Sequence, residues 1–481
     1  MRKVPLMPRG VRTAAFSALP VIVLAVCTAA GGAAVPKTPW LAYGRTPDSQ
    51  NGAAMPITIA SAKAMRAVWQ SRVGGMITAQ PLYAPNVRVG GATRQLVVVA
   101  SADNAVTALD LGTGRVVWRR SLGPTRPQVC GGAGGVQSTP AIDARTQRIF
   151  VIGANGRLVA LALATGKPVP RWSVPIITRT DVEVVWSALR IAAGSIYVPI
   201  ASWCDKGSAA GAWNGRLVRV SVKTHRVVGT FDVVPGRKNG GSIWGPGGVS
   251  VDPSDGSVWT ATANAVVYND GNLVEKAGLA ERIVHLTPAL KVLGSVAESD
   301  NNPSVLGDQG FGATPVLFKP IGCPGMLAVN SKDSYTYIWR RAGLTSAPVL
   351  RIKLGASGSG NTFYAQPTWL PATHTLVVDG VVLPHGGGAK GAVGLRLQKD
   401  CTFKPAWSVN IGGGVEPQPL AAGRVAFVPA TSVSKVYAVD SQTGLILNAF
   451  DTKQPAYTAP MIAGSLLVLG GADGTIFAFG R

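Results

Sequence analysis

Cysteines and histidines are the side chains of this 481-residue chain with the widest chemical repertoire. Cys130, Cys204, Cys323 and Cys401 show no CxxC spacing, which argues against a zinc site. With Cys27 set aside in the N-terminal apolar run, the other four are even in number, which suits disulfides in an oxidising compartment. Three pairings are open, and Cys130–Cys204 with Cys323–Cys401 is expected, because each pair then joins neighbouring sequence repeats. His225, His285, His374 and His385 are scattered, with no metal-ligand spacing and no Ser or Cys nucleophile motif beside them. No CxxCH occurs, so no covalent haem is expected. Gly386-x-Gly388-x-x-Gly391 fits a dinucleotide pattern, but it lies among strand-like segments with no helix following.

The elements that would position any site are repeats. Ala108-Leu109-Asp110-Leu111-Gly112-Thr113-Gly114 leads to Trp118. Close copies are Ala160–Gly166 leading to Trp172 and Ala438–Gly444 leading to Phe450. Each reads as an alternating strand, a tight Thr-Gly turn and a second strand carrying an aromatic. The glycine supplies positive φ, and the aromatic is a large apolar plug between sheets.

A second signal counts the repeats. A small or polar residue, then Pro, then an apolar strand recurs at Gln80-Pro81, Thr139-Pro140, Thr314-Pro315, Gln366-Pro367, Gln418-Pro419 and Ala459-Pro460. Trp186-Ser187-Ala188 and Trp244-Gly245-Pro246 are variants that fill the gaps. Eight positions between Pro81 and Pro460 give a period of about 54 residues, suited to a four-stranded propeller blade. Proline suits the first residue of an innermost strand, where one backbone edge faces a channel. The last repeat has only three strands, and Arg66–Ser71, with Trp69, is an orphan strand upstream. The sequence therefore predicts an all-β, eight-bladed propeller of four-stranded antiparallel blades, closed by this N-terminal strand.

Composition agrees. Charged residues are 14% and hydrophobic ones 47%, which excludes a disordered chain. With 59 Gly and 34 Pro, turns outnumber long helices. Residues 1–34 read as an export signal, with Arg2, Lys3, Arg9 and Arg12 before the apolar run Ala14–Val26 and a small-residue site at Gly32-Ala33-Ala34. Lipidation at Cys27 is the rival reading, although Val26 is large for that motif. Residues 35–72 supply the closing strand and 73–481 the propeller. No second long apolar run follows, so no transmembrane span is expected after the signal. The net charge of +23 is dispersed, unlike the dense aromatic-laced patch of a nucleic-acid face. Attraction to anionic envelope polymers or lipids is the expected consequence.

The Ala-x-Asp-x-x-Thr-Gly-x-x-x-Trp phrase resembles the repeat of the quinoprotein, pyrroloquinoline quinone (PQQ) propellers. Trp40-Leu41-Ala42-Tyr43-Gly44 through Asn51 is similar to the opening of that superfamily. Trp244-Gly245 with the following Asp252-Pro253 is most similar to the polyvinyl-alcohol-dehydrogenase-like branch. The resemblance implies that Trp244 lies under the quinone and that Asn264 binds calcium. It places the catalytic carboxylate on Asp308, which would also ligate the metal, and the cation facing the quinone carbonyls on Lys332. Each role has a physical basis. An aromatic face supports a planar quinone, oxygen ligands suit a hard cation, and a carboxylate can take the alcohol proton.

Departures bear on activity. The stretch Gly207–Trp213 has no carboxylate where calcium-dependent members carry a Glu, and Cys130 is followed by Gly131-Gly132 rather than a second cysteine. Plain packing for Trp244, turn capping for Asn264 and Asp308, and solvation for Lys332 are the bland alternatives. Two function classes follow. One is an exported quinoprotein alcohol dehydrogenase using PQQ, Ca²⁺ and a separate electron acceptor. The other is a non-catalytic envelope scaffold, resembling outer-membrane assembly propellers, that binds proteins or anionic polymers.

Overall fold

The Thr-Gly phrases fold as hairpins, because Gly114, Gly166 and Gly444 take φ of +67°, +65° and +79°. In a computed structural model, these hairpins form the outer halves of propeller blades. The structure describes residues 38–128, 133–203, 213–236, 240–263, 267–269, 272–274, 278–297, 310–344, 347–354, 365–381 and 390–481. Asn264, Asp308, Cys130 and Cys204 lie outside the described residues.

Eight antiparallel sheets form the blades around a channel, each of four strands, with blade 3 gaining a fifth where Glu183–Val184 pairs with Ala201 and Ser202. Strands are lettered A to D from the channel outward. The A strands of blades 1 to 8 begin at Leu82, Ala141, Arg190, Ser250, Val316, Thr368, Leu420 and Met461, each shortly after one of the eight predicted positions. Blade 8 takes its D strand, Arg66–Arg72, from the N-terminal side, paired with Thr475–Gly480. Ring closure thus occurs as the orphan strand predicts, and it leaves blade 8 without an unpaired third strand. The insertion after Ala263 contains a two-stranded ribbon of Val267–Asn269 and Asn272–Val274.

Alternating strand directions define two faces. The D–A and B–C connections share one, here the upper face. The A–B and C–D turns share the lower face. Cys323, in an A–B turn, and Cys401, in a C–D turn, form the expected disulfide between blades 5 and 6, with Cα atoms 5.8 Å apart.

Two devices join neighbouring blades. On the outside, a tryptophan of one D strand covers the turn glycine of the next blade. Trp118 lies over Gly166 and donates from Nε1 to the Leu163 carbonyl at 3.1 Å. Trp407 does the same with Gly444 and the Ser441 carbonyl at 2.8 Å. Around the channel, the carbonyls of the A-strand prolines accept hydrogen bonds from the adjacent blade. Thr368 Oγ1 donates to Pro419, and Gln80 Nε2 to Pro460 across the ring closure.

A strap, residues 40–57, lines the channel wall below this belt. Trp40 bridges Tyr83 of blade 1, and the Leu41 carbonyl accepts from Ile142 of blade 2. Pro47 and Asp48 accept from Val251 and Leu317 of blades 4 and 5, and Asn51 pairs with Ala421 of blade 7. Among the described residues no helix is long and apolar enough to cross a membrane, the one α-helix being Ile59–Ala64.

Candidate functional site

The strap packs along the A strands against a buried arginine. Arg190, the first residue of its A strand, donates to the carbonyls of Tyr43 (3.0 Å), Thr46 (3.1 Å) and Val249 (3.3 Å) and to Ser49 Oγ (2.9 Å). Burial lowers its pKa to about 10, opposed by the nearby Asp48 carboxylate. Burial likewise raises the Tyr43 hydroxyl, opposed by the Gln418 backbone and by Arg190. A guanidinium in this setting is held by its fork of donors, each matched to a fixed oxygen.

The upper mouth is different. Trp186 and Trp244 hold equivalent positions in adjacent blades, and their half-buried rings meet edge to face with centroids 6.4 Å apart. Backbone contact explains the glycines that follow Trp244. A Cβ on Gly245 would lie 2.3 Å from Thr314 Oγ1, and one on Gly247 would lie 2.7 Å from Gln366 Oε1. Gln366 reaches from blade 6 past blade 5 and accepts from the Gly247 amide at 2.7 Å. Three polar atoms beside this loop are buried without hydrogen-bond partners: Trp244 Nε1, Gln366 Nε2 and Thr314 Oγ1. Such groups cost about 1–3 kcal/mol each when left unmatched.

Lys332 lies on the same face, in the B–C connection of blade 5, and its amide donates to the Gly310 carbonyl at 3.4 Å. Its neighbour Asp333 is held by the turn. Asp333 Oδ1 accepts from the Tyr335 amide at 3.0 Å, and Oδ2 accepts from the Tyr337 hydroxyl. Burial raises the Asp333 pKa, while the Tyr337 hydroxyl and the Tyr335 amide oppose the rise. Asp473 and Asn155 occupy the same turn position in other blades, so Asp333 serves the B–C turn. A cleft is lined by Arg126, Thr180, Trp203 and Glu183, and Glu183 pairs with Arg216 at 2.5 Å.

The structure therefore places Trp244 and Lys332 on one face, with Trp244 at the channel mouth. Among the described residues no group of His, Cys, Asp and Glu gathers as a metal site. Sequence reasoning did not single out Gln366 or the pairing of Trp186 with Trp244. The signal was present, since Gln80, Gln366 and Gln418 all precede the A-strand proline with a side chain long enough to leave its own blade.

Comparison with known proteins bears on the fold. A family profile described as outer membrane protein assembly factor BamB matches residues 57–268. No curated protein sequence matches the chain. The structure is similar to a europium-containing methanol dehydrogenase, with a TM-score of 0.72 and 14% identity over 93% of this chain and 98% of that one. It is similar to the quinohemoprotein alcohol dehydrogenase of Comamonas testosteroni, with a TM-score of 0.73 and 16% identity over 93% and 81%. It also resembles BamB of Moraxella catarrhalis, with a TM-score of 0.55 and 14% identity over 87% and 98%.

Proposed function

We propose that this chain, a member of the PQQ-like β-propeller superfamily, is an exported quinoprotein-type oxidoreductase that binds PQQ at the upper channel mouth and oxidises an alcohol. One observation carries the reading. Trp244, its half-buried ring edge to face with Trp186, belongs to a D–A connection of the upper face, the face that also carries Lys332. A planar, anionic quinone suits that pair, which offers an aromatic face for its rings and a cation for its oxygens.

In this reading Trp244 supports the cofactor, and Lys332 supplies positive charge toward its anionic oxygens. Asn264 and Asp308 would hold Ca²⁺, with Asp308 also taking the alcohol proton. PQQ supplies the two-electron acceptor when bound. A separate protein or small-molecule acceptor would remove the electrons.

The second reading, a non-catalytic envelope scaffold, draws support from the family profile over residues 57–268. Titration with PQQ and Ca²⁺, followed by tryptophan fluorescence, separates the two. The oxidoreductase reading expects saturable quenching that Trp244→Ala abolishes, and then alcohol-dependent dye reduction. No quenching at tens of micromolar would leave the scaffold reading.

A further inference from the structure

The lower face of the disc carries a pattern that neither the channel nor the repeat register requires. Each C–D turn needs a residue after its bend, and in five blades a nearby exposed position is basic: Arg115, Lys167, Lys223, Lys291 and Lys399. Three carboxylates on this face pair with other arginines, Asp110 with Arg94, Asp252 with Arg341 and Asp440 with Arg424, while Asp255 and Asp400 stay exposed. Asp110, Asp143, Asp252, Asp400 and Asp440 turn back to accept from backbone amides of their own turns, for example Asp143 from Arg145 at 3.0 Å and Asp400 from Thr402 at 3.1 Å. Those carboxylates keep their charge, whereas Arg115, Lys167, Lys223, Lys291 and Lys399 make no ion pair among the described residues.

Exposed apolar side chains follow the same turns. Val116 succeeds Arg115, Val227 succeeds Arg226, and Leu293, 57% exposed, lies two residues after Lys291. Leu445 is exposed in the C–D turn of blade 7. Ile321 is 91% exposed at the tip of the A–B turn pinned by the Cys323–Cys401 disulfide. Of the large apolar side chains exposed among the described residues, only Met76 and Tyr457 belong to the upper-face connections. Alternation of basic and apolar groups around one flat face is the composition of an interfacial membrane surface.

We propose that the lower face docks on an anionic lipid bilayer, with the basic residues on headgroup phosphates and the apolar residues at the acyl boundary. The upper mouth then faces away from the membrane. This inference is independent of whether PQQ binds.

Vesicle flotation tests it, using the protein as recovered from the expressing cell and phosphatidylcholine vesicles with or without phosphatidylglycerol. Binding is expected only with phosphatidylglycerol and should fall as salt is raised to about 0.5 M. Arg115→Glu/Lys167→Glu/Lys291→Glu should weaken it at least tenfold, on the order expected for several headgroup contacts. Leu293→Ser/Ile321→Ser should weaken vesicle binding while leaving retention by soluble polyphosphate unchanged. Lys453→Glu, on the upper face, should change nothing. All variants share the N-terminal apolar run, so differences among them report the face alone. Equal weakening by Lys453→Glu would mean diffuse basicity and overturn the proposal. An absent effect of the apolar pair would mean a soluble polyanion is the partner, and would overturn it too.

Discussion

The indole of Trp69 lies over Gly114, and its Nε1 donates to the Leu111 carbonyl at 2.9 Å. One residue belongs to the closing strand of blade 8 and the other to the Thr-Gly turn of blade 1. The contact that joins consecutive blades elsewhere therefore also seals the ring. Its form explains why the turn residue is glycine twice over: φ is +67°, and a Cβ would lie 2.6 Å from the indole.

Gly114→Ala should consequently destabilise the ring at its seam. The left-handed backbone alone costs about 1–2 kcal/mol, and displacement of Trp69 adds to that. Urea denaturation should show a lower midpoint, with Trp69 fluorescence shifted toward that of exposed indole. An unchanged midpoint would mean that the seam contributes nothing to global stability.

Arg190 should be irreplaceable by lysine. Its four hydrogen bonds fan out to three carbonyls and a hydroxyl, a pattern one ammonium cannot reproduce. Arg190→Lys leaves buried acceptors unmatched at about 1–3 kcal/mol each. The strap should loosen, so limited proteolysis is expected to cut between residues 40 and 57 in the variant before the wild type.

His285 sets a pH dependence. Its ring stacks on Trp259 with centroids 3.9 Å apart, and its Nε2 is buried without a partner. Burial lowers its pKa below the ordinary 6.5, with Asp255 opposing. The unfolded chain then binds more protons than the folded one in the interval between the two values. This contribution to stability is present above about pH 6.5 and is lost as pH falls through the folded value. His285→Phe retains the stack and should flatten this part of the stability profile between pH 7 and 5. A profile parallel to wild type would remove His285 from the account.

Much of the fold was legible because the signals are local. A Thr-Gly turn, a following aromatic and a residue-Pro pair each report backbone geometry within a few residues, and repetition multiplies them. The disulfide between Cys323 and Cys401 followed from the same register. At the site, Trp244 was legible as a member of that series, two positions before a proline. Gln366 was not, since its role depends on reaching Gly247 from two blades away.

By itself, then, the sequence determined the blade number, the closing strand and the glycines, because turn chemistry is encoded within a few residues of each turn. Only the tertiary structure decided what the irregular strap does. Asn51 meets the carbonyl of Pro419, 368 residues away, and Arg190 meets Tyr43 and Thr46. An arginine that opens a strand reads as solvated until ring closure surrounds it. The same holds for the lower face, where single lysines and valines become a surface only when the blades stand side by side. Contacts of this kind are made by ring closure, so no local pattern of residues announces them.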